Sequence, residues 1–242
     1  RDAAAVVSLT EAAVEHLQTE YPAELRTQRL VVIPTCADLD RFAPSEERRE
    51  SGRVHGCIGT VLSGWFRLGW LKAWIEAASE RDPEASFKII TRDDPTRVRK
   101  AIDPCGRLGD RLTISARHPD QMPDAVRGHD LSVMFYAGGQ VSELGRSPTR
   151  MAEVLGCGRP VVANAGVGDV ARIISEHRVG VLLEGTSQKH LERALDELDA
   201  LQQDPELAHR CRGAAEAVFS LEAGTNAYRA IYRDILISQS VS

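Results

Sequence analysis

The sequence has no apolar run approaching the length of a membrane span. Residues 1–20 lack a basic start followed by an apolar core, so no signal peptide is expected. There is no cationic excess: 30 basic residues against 35 acidic ones leave a net charge of −5, which speaks against nucleic-acid or membrane-surface binding. No GxGxxG follows the first regular strand, which argues against a nicotinamide or flavin cofactor. There is no Walker loop and no GxSxG, and the seven histidines are scattered without metal-ligand spacing. The cysteines, at positions 36, 57, 105, 157 and 211, are odd in number and match no zinc pattern. Their simplest reading is reduced thiols in a cytoplasm, with Cys57 and Cys157 as small core residues. The chain opens on Arg1 rather than Met, which reads as a piece of something longer.

What is present is the material of a full core. The 242 residues are 43% apolar and 27% charged, enough for one large α/β domain or one domain plus a fragment. Residues 3–9 read as a strand, a helix over 11–19 follows with Thr10 as its cap, and a short apolar run over 30–33 ends at Pro34. Residues 44–53, charged and holding Pro and Gly, read as a linker or exposed loop. Beyond it, strand patterns at 54–59, 86–91, 111–115, 131–136, 160–164 and 179–183 alternate with helical patterns at 67–80, 95–102, 121–127, 148–157 and 169–176. That rhythm predicts a doubly wound parallel α/β sheet in the order 3-2-1-4-5-6. Helices follow at 187–203, 205–218 and 223–237. In that order the first and fourth strands are neighbours, and ligands bind beyond their carboxyl ends. The loops to search are therefore 59–67, GTVLSGWFR, and 137–147, AGGQVSELGRS.

The second of these loops runs into the most informative segment, SPTRMAEVLGCGRPVV, residues 147–162. Ser147 suits a helix N-cap, Pro148 the first helical position, Gly158 the left-handed stop, and Pro160 prevents continuation. Such a helix aims free N–H groups and its positive dipole end at an anion ahead of Ser147. Glu153 lies a little over one turn in, in reach of a sugar hydroxyl; a capped helix with a solvated glutamate is the plainer alternative. Arg67, Arg146 and Arg150 near one cleft suit phosphate, although each alone also reads as a solvated arginine. His118, in ARHPD, reads as a surface histidine or a ligand neighbour. Trp65 and Phe66 read as a lid over a base or sugar, or as core anchors. GVGD, 166–169, reads as a close backbone approach to a ligand, or as a tight turn with Asp169 as helix cap.

SPTRMAEVLGCGRPVVANAGVGDV resembles the donor-site signature of retaining glycosyltransferases of the GT-B fold, the glycosyltransferase family four group. VVIPTCADLDRFAP is similar to the passage between the two domains of such enzymes, and VVSLTEAAVEHL to the last strand and helix of their first domain. The resemblance implies residues 1–43 as the end of an N-terminal acceptor domain plus linker. It implies 44–222 as a nucleotide-sugar-binding Rossmann-like domain and 223–242 as a C-terminal helix crossing back. By the same resemblance Glu153 binds ribose hydroxyls, and Ser147, Pro148, Thr149 and Arg150 form the turn that holds a diphosphate. Gly59, Ser63 and Gly64 belong to the loop beneath it, and Arg117 and His118 to the loop that meets the base. Three departures stand out. The glutamate expected eight positions before Glu153 falls on Gly145, leaving Glu143 as its candidate replacement. The family's usual loop Arg and Lys fall on Thr60 and Trp65, so Arg67, Arg146 and Arg150 are the candidate cations. Most of the acceptor domain is absent.

The expected reaction is transfer of a sugar from a nucleoside diphosphate sugar, of the UDP or GDP kind, to a hydroxyl acceptor. It proceeds with retention, without metal or cofactor, and with Arg146, Arg150 and Glu143 as candidate catalytic groups. This stretch alone is expected to be inactive. A nucleotide-sugar 2-epimerase and a binding module without activity remain alternatives, and the resemblance leaves open a peripheral membrane contact through the missing domain.

Overall fold

The computed structural model describes residues 3–45, 52–139 and 141–240, with side chains through residue 237. Of the linker expected at 44–53, residues 46–51 lie outside the described residues. The elements run β1 (Val6–Ser8), α1 (Glu11–Glu20), α2 (Pro22–Leu25), β2 (Leu30–Val32), β3 (Val54–Ile58), α3 (Leu68–Arg81), β4 (Ser86–Ile90), α4 (Pro95–Ile102), β5 (Leu112–Ser115), α5 (Met122–Arg127), β6 (Leu131–Met134), α6 (Val141–Leu144), α7 (Thr149–Gly156), β7 (Val161–Ala163), α8 (Val170–His177), β8 (Gly180–Leu182), α9 (Gln188–Gln202), α10 (Leu207–Phe219) and α11 (Leu221–Ser240). Among the described residues no helix is long and apolar enough to cross a membrane.

Six strands form one sheet in the order β5-β4-β3-β6-β7-β8, every pairing parallel. The expected 3-2-1-4-5-6 order is therefore the observed one. The central strands β3, β6 and β7 are buried along their whole length, as parallel strands covered on both faces must be. Successive residues serve opposite faces. Cys57, Ile89, Val133 and Val162 pack with Leu71 and Trp74 of α3, Val98 of α4 and Leu195 of α9. Ile58, Ile90, Met134 and Val161 pack with Val126 of α5, Leu155 of α7, Ile174 of α8 and Ala215 of α10. Cys57 and Cys157 are core residues as expected, and burial pushes their thiols up to about 12 and about 11.

β1 and β2 pair in a separate parallel sheet, and this unit is fastened to the larger one by polar contacts. Thr10 caps α1, accepting from Ala13 N at 3.2 Å, and its hydroxyl donates to the Leu144 carbonyl. Asp169 accepts from the first amides of the same helix, Glu11 N at 2.9 Å and Ala12 N at 3.1 Å. The cap expected of Asp169 is thus corrected. It holds the cap position of α8 but caps no amide there, because its carboxylate accepts from the first amides of α1 while pairing with Arg172 of α8 at 3.2 Å. Gly168 explains why the loop carries glycine: a Cβ there would meet the Arg146 carbonyl oxygen at 2.2 Å, at a φ of +41°. That close approach joins two protein loops. At the other end α11 begins two residues earlier than expected, and its Asp234 pairs with Arg29 beside β2 at 2.7 Å.

Candidate functional site

A cavity of about 470 Å³ opens at the carboxyl ends of β3, β4 and β5, on the β3 side of the reversal between β3 and β6; of the two loops singled out in the sequence, 59–67 borders it and 137–147 does not. Its walls come from five places. Gly59 and Thr60 leave β3, Thr91 and Arg92 leave β4, and Arg117 and Pro119 follow β5. Arg150 and Glu153 come from α7, and Arg41 and Phe42 from the segment after β2. Four arginines and one glutamate line it, so the cavity suits an anion.

Helix α7 forms as the sequence leads one to expect, but its entry differs. It spans Thr149–Gly156, Cys157 takes the C-cap, and Gly158 adopts φ +73°, the left-handed stop. The cap residue is Pro148, not Ser147, so Pro148 does not occupy the first helical position. Ser147 is engaged elsewhere: its hydroxyl accepts from Thr35 N at 3.2 Å, and its carbonyl accepts from the Thr35 hydroxyl at 2.7 Å. It ties the linker to the helix start. Since Pro148 supplies no side-chain cap, the first amides of α7 keep their capacity for an anion.

The candidate cations are held in different ways. Arg150 forms an ion pair with Glu153 one turn on, and Glu153 is 7% exposed within the cavity wall. Arg146 pairs with Glu143 at 2.9 Å, and Glu143, at 1% exposure, is buried rather than open to a ligand. The Arg146 guanidinium lies 5.3 Å from the Trp65 ring and 5.5 Å from the Tyr136 ring, and its Nη1 donates to the Trp65 carbonyl at 3.4 Å. Burial, ahead of the neighbouring charges, pushes the Tyr136 phenol up to about 12. Arg67 is turned away from the cavity. Its Nε donates to the Tyr136 carbonyl at 3.1 Å and its guanidinium stacks on Trp70 at 4.8 Å.

In the first loop, Val61 N and Leu62 N donate to one oxygen of Asp93 at 2.6 and 3.0 Å. The Ser63 hydroxyl closes onto the Thr60 carbonyl at 3.5 Å. Of Gly59, Ser63 and Gly64, only Gly59 borders the cavity. Arg117 lines it and donates to the Ala116 carbonyl. His118 is exposed and caps the one-turn 3-10 helix Pro119–Gln121, outside the cavity wall. Trp65 and Phe66 part company. Phe66 is buried against Tyr136, while Trp65 is 59% exposed.

Arg92, Asp93 and Arg41 were missed by sequence reasoning. Attention to the first and fourth strand exits alone passes over β4, whose exit carries Arg92 into the same cavity and Asp93 to the amides of the first loop. Arg41 reaches it from the linker, with Nη2 donating to the Pro119 carbonyl at 3.3 Å and pairing with Asp120 at 3.5 Å. Among the described residues no group of three His, Cys, Asp or Glu is placed to hold a metal ion.

No family model matches this sequence, and no curated protein matches it. Solved structures do match the fold. Sucrose-phosphate synthase from Thermosynechococcus elongatus superposes with a TM-score of 0.70 at 19% identity, over 98% of this chain and 59% of that one. A glycosyltransferase from Rickettsia africae gives 0.73 at 18% identity, over 96% and 63%. The pneumococcal O-GlcNAc transferase GtfA gives 0.65 at 16% identity, over 94% and 44%. The chain therefore spans less than two thirds of the solved chains it resembles. The likeness establishes its architecture: a six-stranded parallel α/β sheet, Rossmann-like, of the kind found in GT-B glycosyltransferases.

Proposed function

We propose that this chain is the donor-binding half of a retaining glycosyltransferase that takes a nucleoside diphosphate sugar. The observation that carries the reading is the cavity at the strand exits. It is lined by four arginines and one glutamate, and beside them is a helix start without a side-chain cap. The diphosphate lies against the first turn of α7, with Arg150 at its side. Glu153, oriented by Arg150, accepts from the ribose hydroxyls. The base lies toward Arg92 and Arg117. The structure of GtfA with UDP and GlcNAc supports this choice of ligand, since that protein shares the fold.

In the reaction, the bond between the anomeric carbon and the diphosphate oxygen breaks and the acceptor hydroxyl oxygen bonds to that carbon on the same face. The hydroxyl proton leaves to the departing diphosphate. The amides of α7 and the arginines stabilise the charge that grows on that diphosphate, which is the work asked of a metal elsewhere. The acceptor is held by a domain beyond this chain, and the chain alone does not turn over, because both substrates must be held in line.

A thermal-shift screen against UDP, GDP, ADP, CDP and their common sugars tests the reading. A ligand that binds only the folded state raises its melting temperature. At least one nucleoside diphosphate should do so, and Glu153→Ala should weaken it by about 1.5–3 kcal/mol, the worth of hydrogen bonds to a charged group. A screen without a single shift, or Glu153→Ala binding as tightly as wild type, would contradict it.

A further inference from the structure

Trp65 is an exposed aromatic on a hydrogen-bonded stretch of backbone. Its carbonyl accepts from Ala137 N at 3.0 Å and from Arg146 Nη1 at 3.4 Å. The next residue, Phe66, makes an antiparallel bridge with Tyr136 and packs edge-to-face on its ring at 6.0 Å. Arg67 N then donates to the Phe135 carbonyl at 2.8 Å. Three consecutive residues are thus laced to the exit of β6. Trp65 lies in the turn closed by Phe66 N onto the Ser63 carbonyl at 3.2 Å, and while Phe66 enters the core the indole stays outside it. It is 59% exposed, although tryptophan is among the side chains that gain most from burial.

The indole is also braced. The Arg146 guanidinium lies 5.3 Å from its ring, and Glu143, buried at 1% exposure, pins that guanidinium at 2.9 Å. The ion pair thus holds a guanidinium over the ring of an exposed indole, which sets a flat apolar surface beside a charged hydrogen-bond donor. A hexose in its chair form has the matching shape, with C–H groups across one face and hydroxyls around the rim. Position along the chain says which hexose. Arg146 lies three residues before α7 and is not among the residues that line the cavity with Arg92 and Arg117. With the base toward those two and the diphosphate at α7, the group bonded to the diphosphate's far end comes to Arg146 and Trp65.

We infer that Trp65 is the stacking platform for the glycosyl group of the donor, and that Arg146 and Glu143 are its positioning residues. The inference rests on the donor-binding reading above. Calorimetry on the chain separates the two, using UDP-glucose with UDP and GDP-mannose with GDP as probes. Trp65→Ala should weaken the sugar nucleotide about fivefold and its own diphosphate less than about twofold, with Trp65→Phe in between, as a stacking contact demands. The exposed position keeps both variants folded, which an unchanged urea midpoint would confirm. Equal weakening of sugar nucleotide and diphosphate would overturn the platform, and so would no weakening of either, the result expected if protein beyond this chain covers the indole. If wild type binds no diphosphate at all, the donor-binding reading falls with it.

Discussion

His55 offers a sharp test of how the first strand of the main sheet is held. It sits in β3, the strand that delivers Gly59 to the cavity, and is 4% exposed. Its Nδ1 accepts from the Trp74 indole at 3.1 Å, and its ring lies 5.3 Å from Phe87, so it joins α3 to the sheet as a neutral acceptor. Burial, reinforced by the charge of Arg53 and opposed by Asp199, pushes its pKa down from 6.5 to about 3. The folded protein therefore refuses a proton that the unfolded chain accepts. Stability falls as pH drops below 6.5, and the loss stops only near 3, where the folded imidazole also titrates. Between about pH 7.5 and about pH 5 this one group removes about 2 kcal/mol of stability.

Urea unfolding followed by circular dichroism at both pH values measures the loss. Other groups titrate over the same range, so the informative quantity is the difference from His55→Asn, which keeps a polar side chain and cannot ionise. The variant's acid loss should be smaller by about 2 kcal/mol. Equal losses would refute the reasoning. If the variant fails to fold, an NMR titration of the wild-type imidazole decides the matter: a midpoint above about 5 contradicts the burial argument.

Asp93→Ala removes the acceptor for two amides of the first loop and should lower stability by about 2 kcal/mol while weakening diphosphate binding. A urea midpoint within error of wild type would refute that role. Asp169→Ala strips the second cap from α1 and should cost about 1–2 kcal/mol, read as faster amide exchange in residues 11–14; unchanged exchange would refute it. Arg92→Gln should weaken a nucleoside diphosphate while leaving inorganic pyrophosphate unaffected, and equal loss for both would move Arg92 to the phosphates.

Strand order was legible because short apolar strand patterns alternate with helical ones, a local and periodic signal. The helix at 149–156 was legible for the same reason, through Gly158 and Pro160. What sequence could not show is which distant partner claims a polar group. Ser147 has the chemistry of a cap, yet Thr35, 112 residues away, takes its hydroxyl. Asp169 likewise serves a helix 157 and 158 positions earlier. Trp65 and Phe66 read as one unit until the bridge at Tyr136 divides them between surface and core. Glu143 stands near the position expected of a sugar-facing carboxylate, but its pairing with Arg146 inside the protein gives it a supporting place.

The central claim is that a nucleoside diphosphate sits at the strand exits against the start of α7. Hydrogen–deuterium exchange of the chain, with and without the tightest diphosphate from the thermal screen, tests it most directly. The account predicts added protection in residues 59–62, 91–92 and 149–153, with none at the opposite end of the sheet around residues 158–160 and 202–208. Protection confined to that opposite end, or absent from the first turn of α7, would contradict it.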